Sequence, residues 1–212
     1  MINPFENISE IQKNRLFNLL QVHIYSYKKN QEILPKAKAE DIICILLEGS
    51  ANIISIDYEG EEHLIEELIP NSVFGTYISS INNNEYQILA KEDSKVVVID
   101  YNKFDEKNIS YSYYNVFVNN LFSIVNEKLK DKNDRIRILT KKSIRDKLLE
   151  YFAIEYEKNH SRIIYLPSSF KDLADYFAVN RSAMFREIRS MKDENFIKVD
   201  GKKITLLYNP MQ

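Results

Sequence analysis

The sequence predicts an α+β chain in three segments: an N-terminal β-roll (a jelly-roll-like barrel) over residues 1–110, a long helix over 111–137, and a C-terminal winged helix-turn-helix over 138–212. Three observations predict it. Short β-branched runs recur between turn residues through the first segment. Two adjacent apolar stripes at helical spacing run through the second. In the third, residues 168–207 read as a short helix, a tight turn, a second helix with a basic exposed side, and two short strands.

In chain order, an opening helix is expected over 10–20, apolar at Ile11, Leu16, Leu19 and Leu20. Strands are expected over 22–27, 32–34, 42–48, 51–58, 63–68, 86–90 and 95–100. They are separated by Lys29-Asn30, Pro35, Gly49, Glu59-Gly60, Pro70-Asn71 and Asn82-Asn83-Asn84, residue types that favour turns. A roll of this size encloses a pocket, which suits a sensor.

In the long helix Val118, Phe122, Val125 and Leu129 alternate by four, three and four residues, as in a coiled-coil seam. Phe117, Leu121 and Ile124 form the second stripe. One stripe packs on the roll and the other is left for a partner helix, so a homodimer is expected. A helix over 141–158, apolar at Ile144, Leu148, Leu149 and Phe152, then opens the C-terminal segment.

Phe170, Leu173, Ala174 and Phe177 give the first helix of the pair its apolar face, with Ser168 or Ser169 as N-cap. Ala178-Val179-Asn180 is the turn. Alanine occupies the position where glycine takes a positive φ at least cost. In the second helix Met184, Ile188 and Met191 face inward, leaving Arg181, Ser182, Phe185, Arg186 and Arg189 outside. Arginine on such a face can grip guanine O6 and N7 with two bonds, and phenylalanine can touch a thymine methyl. The candidate DNA contacts are therefore Ser169, Asn180, Arg181, Ser182, Phe185, Arg186 and Arg189, joined by Lys202 and Lys203 at the tip of the strand pair. An ordinary amphipathic helix with solvated arginines is the plain alternative. The strand pair around Asp200-Gly201-Lys202 argues against it.

Composition bounds the function. The formal net charge of −2 does not by itself suggest nucleic acid. Residues 138–212 nevertheless hold 14 Lys+Arg against 10 Asp+Glu, while residues 1–137 hold 15 against 21, as expected of a basic reader joined to an acidic sensor. No apolar run approaches the ~20 residues that span a bilayer, and no basic stretch with an apolar core opens the chain. A cytoplasmic protein with no membrane contact is expected. The one cysteine, Cys44, provides no disulfide framework.

Four runs together resemble the CRP/FNR family of bacterial transcription regulators: Ile45-Leu46-Leu47-Glu48-Gly49-Ser50-Ala51, Tyr58-Glu59-Gly60-Glu61-Glu62, Val73-Phe74-Gly75, and Asn180 to Ile188. The resemblance covers nearly the whole chain. It implies a cyclic-nucleotide-binding-like roll, a dimer helix, and a reader of double-stranded palindromic DNA, with RNA polymerase and a small-molecule effector as further partners. Arg181 and Arg186 match the family's two recognition arginines, and Ser182 replaces the acid that follows the first. The effector pocket implied is Phe74, Gly75, Thr76, Tyr77, Asn84, Glu85 and Tyr86. Nucleotide-binding members carry Gly-Glu-Leu where this chain has Gly75-Thr76-Tyr77, and Arg-Ser or Arg-Thr near Asn84-Glu85. Without that arginine a cyclic phosphate would be buried unpaired, so no response to cyclic AMP or GMP is expected.

No cofactor or metal is expected. One cysteine does not make an iron–sulfur site, and His23, His63 and His160 are isolated in sequence. Two other classes were weighed. A cupin-like enzyme needs convergent histidines, and no H-x-H pair is present. A non-DNA-binding interaction module would have no need of the recognition-helix arginines.

Overall fold

The computed structural model describes residues 2–34, 41–76, 86–166 and 169–210. The chain divides into two compact units, Met1–Glu127 and Lys128–Gln212.

In the first unit, helix α1 (Glu10–Leu19) begins where Ser9 caps it. The Ser9 hydroxyl accepts from the Gln12 backbone N–H while the Gln12 side chain accepts from the Ser9 N–H, so two donors at the helix end are satisfied reciprocally. Leu16 and Leu20 are fully buried, whereas Ile11 lies on the exposed side.

Seven strands follow: β1 (His23–Tyr27), β2 (Ile42–Glu48), β3 (Ala51–Ile56), β4 (Glu62–Leu68), β5 (Val73–Phe74), β6 (Tyr86–Ala90) and β7 (Ser94–Asp100). They form two antiparallel sheets, β1-β7-β2-β5 and β4-β3-β6. The unbroken apolar run of β2 has a simple cause, because both of its faces are covered. Cys44 and Leu46 join Ile53, Phe74, Ile88 and Val96 in the roll interior. On the other face Ile43 and Ile45 meet Leu16, Leu20 and Phe117. Burial pushes the Cys44 thiol well above its ordinary range, so it stays protonated and acts as a small apolar side chain.

Three expected strands differ at their ends. The 32–34 run makes an isolated bridge, Glu32 to Leu89, rather than a strand. β3 stops at Ile56 because the Asp57 carboxylate accepts from the backbone N–H groups of Glu59 and Glu61, each at 2.9 Å, and folds the chain back. The short β5 was not expected from the sequence, since two residues are too few to show alternation.

Helix α2 (Ser112–Leu139) crosses the boundary between the units. Phe117, Leu121 and Ile124 are buried against the roll. In the second unit, helix α3 (Ile144–Asn159) starts three residues later than the spacing suggested, because Ser143 caps it at the Asp146 N–H. β8 (Ile163–Tyr165), α4 (Phe170–Tyr176), α5 (Arg181–Asp193), β9 (Ile197–Asp200) and β10 (Lys203–Leu206) complete the chain. The three strands make an antiparallel sheet in the order β8-β10-β9. Its core gathers Leu148, Phe152, Ile164, Phe177, Met184, Met191 and Ile204.

Gly75, at φ +115°, passes so close to β2 that a Cβ there would lie 2.5 Å from the Ile42 carbonyl oxygen. The next residue ties the same place down, its Thr76 hydroxyl accepting from the Ile42 N–H at 3.1 Å. Gly75→Ala should therefore destabilise the roll by about 2 kcal/mol, the scale of a strained backbone position. A urea titration that left the unfolding midpoint unchanged would contradict this packing.

Candidate nucleic-acid interface

Helix α4 is held at both ends. Ser169 caps it through a box with Asp172, the hydroxyl accepting from the Asp172 N–H at 3.2 Å and donating to its carboxylate at 2.7 Å. Those bonds also hold the Asp172 carboxyl below the ordinary carboxylate range. At the other end Lys147 of α3 donates to the Phe177 carbonyl at 2.9 Å. Ser169 is exposed, with its hydroxyl engaged in the cap.

The turn that follows uses no glycine. Ala178 sits at φ +53°, the left-handed conformation expected at that point. Asn180 then caps α5, its side-chain oxygen accepting from the Ala183 N–H at 3.2 Å. In α5, Met184, Ile188 and Met191 are buried, as their spacing required. Arg181, Ser182, Phe185, Arg186 and Arg189 are all exposed along the opposite side. The wing closes through Gly201 and Lys202, which link paired Asp200 and Lys203. Glycine supplies the positive φ of +56° at the first position of this two-residue loop. Lys202 is exposed and Lys203 half-buried. All nine sequence candidates thus belong to one unit, distributed between the α4 cap, α5 and the wing.

The residues that hold α5 in place were not legible in the sequence. Arg145 of α3 donates to Glu187 at 2.6 Å through Nε and to Glu194 at 2.8 Å through one terminal nitrogen. Its other terminal nitrogen also pairs with Glu194, and the guanidinium lies over the Phe196 ring. Ser190 donates to Glu194 as well, at 2.8 Å. These bonds hold the Glu194 carboxyl below its ordinary range, so the fork stays ionised near neutral pH. The partners are 42 and 49 residues apart, a separation at which no local pattern survives. Behind the fork, Glu150 pairs with Arg137 at 2.7 Å and with Lys141 at 2.9 Å.

The dimer-helix candidates divide into two groups. Phe117, Leu121 and Ile124 are buried, Val118 and Val125 half-buried, while Phe122 and Leu129 are 66% and 52% exposed. Of the effector-pocket candidates, Phe74 and Gly75 are buried, and Tyr86 packs partly buried against the roll core. Tyr77, Asn84 and Glu85 lie outside the described residues. His23 and His160 are exposed, and His63 Nε2 lies 2.9 Å from Asp57 Oδ2 in the β3–β4 hairpin. Among the described residues no group of His, Cys, Asp or Glu is placed to hold a metal ion, and no helix is long and apolar enough to cross a membrane.

Residues 24–107 match the family model described as the cyclic nucleotide-binding domain. Solved structures extend the likeness along the chain. CprK complexed with OCPA superposes with a TM-score of 0.66 at 17% identity, covering 93% of this chain and 92% of that one. A CooA mutant from Carboxydothermus hydrogenoformans gives 0.57 at 16%, covering 91% and 89%. The Thermus thermophilus catabolite activator protein gives 0.52 at 11%, covering 96% and 92%. The chain therefore has the fold of the CRP/FNR-type regulators, a cyclic nucleotide-binding domain followed by a helix-turn-helix domain. No curated protein sequence matches it.

The alanine in the turn carries a testable cost. A left-handed non-glycine residue is disfavoured by roughly 1–2 kcal/mol, and Ala178 is exposed, so no side-chain packing offsets the strain. Ala178→Gly should raise the stability of the C-terminal unit by about 1 kcal/mol, less what glycine adds to the entropy of the unfolded chain. A lower melting temperature for the variant would show that the turn is not strained.

Proposed function

We propose that this chain is a homodimeric, sequence-specific DNA-binding transcription regulator that does not respond to cyclic AMP or cyclic GMP. One observation carries the reading. The exposed side of α5 presents three arginines, a serine and a phenylalanine, while its only mid-helix acid, Glu187, is bound by Arg145. A solvated surface helix has no need to hold its acid away from its arginines. On a helix entering a major groove, an acid that reads no base is better paired away, because a free carboxylate there would repel phosphates. Lys202 at the wing tip adds a cation suited to backbone phosphate. The regulators of the same fold support the class, and they are not enzymes.

Dimerisation is supported by the second stripe of α2. Phe122 and Leu129 are large, apolar and exposed seven residues apart on one helix, a spacing that fits a second copy of the same helix. Two chains joined this way would read a palindromic operator, with half-sites about one helical turn apart. RNA polymerase would be the further partner of the bound dimer.

The absence of a cyclic-nucleotide response rests on the departure at Gly75-Thr76, where the family's glutamate is replaced by a threonine whose hydroxyl is tied to Ile42. The roll would then act on the reader through another small effector or none.

Two measurements test this reading. Arg181→Ala and Arg186→Ala should each weaken specific operator binding by about 1–3 kcal/mol, while log affinity falls steeply with log salt for the parent chain. Unchanged affinity in both variants would remove the assigned readers. Phe122→Asp combined with Leu129→Asp should turn the chain monomeric in analytical ultracentrifugation. A variant that still sediments as a dimer would place the interface elsewhere.

A further inference from the structure

We propose that the Phe185 ring is a thymine reader, making the 5-methyl group of one thymine per half-site a determinant of operator choice. The inference rests on the DNA-reading proposal above and goes beyond it by naming the base and the atom recognised.

Phe185 is 41% exposed in the middle of the proposed reading face, so much of its ring is left to solvent. One side of the ring is packed. The Phe170 ring of α4 lies 5.6 Å from it, tilted by 51°, and the Arg181 guanidinium lies 5.7 Å from its centroid. Beside it Phe170, Ile188 and Val199 line an apolar notch of about 290 Å³, rimmed by Arg186, Arg189 and Lys192. The notch is apolar at its floor and cationic at its rim, with no acid among its lining residues. That complementarity selects an apolar group carried on an anionic polymer rather than a protein side chain or a neutral ligand.

The rest of the face narrows the choice of base. Arginine donors meet acceptors, which guanine, adenine and thymine present in the major groove, while the Ser182 hydroxyl can donate or accept. Cytosine presents a donor there and needs an acceptor such as a carboxylate. Glu187, the only such group in mid-helix, is occupied by Arg145 at 2.6 Å. Among the bases only thymine joins an acceptor oxygen to a methyl group, and so only thymine satisfies both the arginines and the ring.

The test uses duplexes recovered from a random pool by the full-length chain, remade with deoxyuridine in place of thymidine one position at a time. Removal of the methyl that meets Phe185 should weaken binding about fourfold, the factor that burying one methylene-sized group supplies. The loss should be confined to one position per half-site, and Phe185→Ala should bind the thymine and uracil duplexes alike. Equal binding of both duplexes by the parent chain would overturn the proposal, as would uracil sensitivity retained in the variant or spread over every thymine. The parent comparison needs no variant, so poor folding of Phe185→Ala leaves the test intact. If no duplex is recovered from the pool, the DNA-reading proposal itself fails, a result distinct from recovery without methyl dependence.

Discussion

The burial of Met184, Ile188 and Met191 sets the orientation of everything that α5 presents. Each fully buried side chain of this size contributes about 1.5–3 kcal/mol relative to exposure. Rolling the helix by a single residue step would expose at least one of them and bury an arginine, a change no surface contact could offset. The outward direction of Arg181, Phe185, Arg186 and Arg189 is thus a consequence of core packing. The backbone of this face is therefore set by the core.

The Arg145 fork acts on a different quantity. Its side chains are a quarter to two-fifths exposed, and ion pairs in that environment contribute only about 0–1 kcal/mol. Stability is not its main effect. By joining α3 to the middle of α5 and to Glu194 just beyond its C-terminus, it fixes tilt and register of α5 against the core. It also removes Glu187 from the exposed charge pattern, so the face carries cations without a competing carboxylate.

In the roll, the fold rests on packing. Gly75 crosses close to β2, and the Thr76 hydroxyl accepts from the Ile42 N–H beside it. The roll's core depends on positions such as Cys44, Ile53 and Phe74, so the fold does not by itself say what the roll binds.

Much of this molecule was legible in one dimension, and for a definite reason. The apolar runs 42–48 and 95–100, the 170–177 spacing and the Met184-Ile188-Met191 triad are local patterns, and each marks what one element buries, both faces for the two strands and one face for each helix. The two apolar stripes of α2 were visible in the same way, but which of them covers the roll was not. Periodicity identifies a face without naming what it meets. Tertiary structure alone decided that Phe117, Leu121 and Ile124 are the buried set. It alone joined Arg145 to Glu187 and Glu194 and set Phe170 against Phe185. Contacts between side chains tens of residues apart leave no repeat in the sequence, because the chain geometry that brings them together exists only after the core has formed.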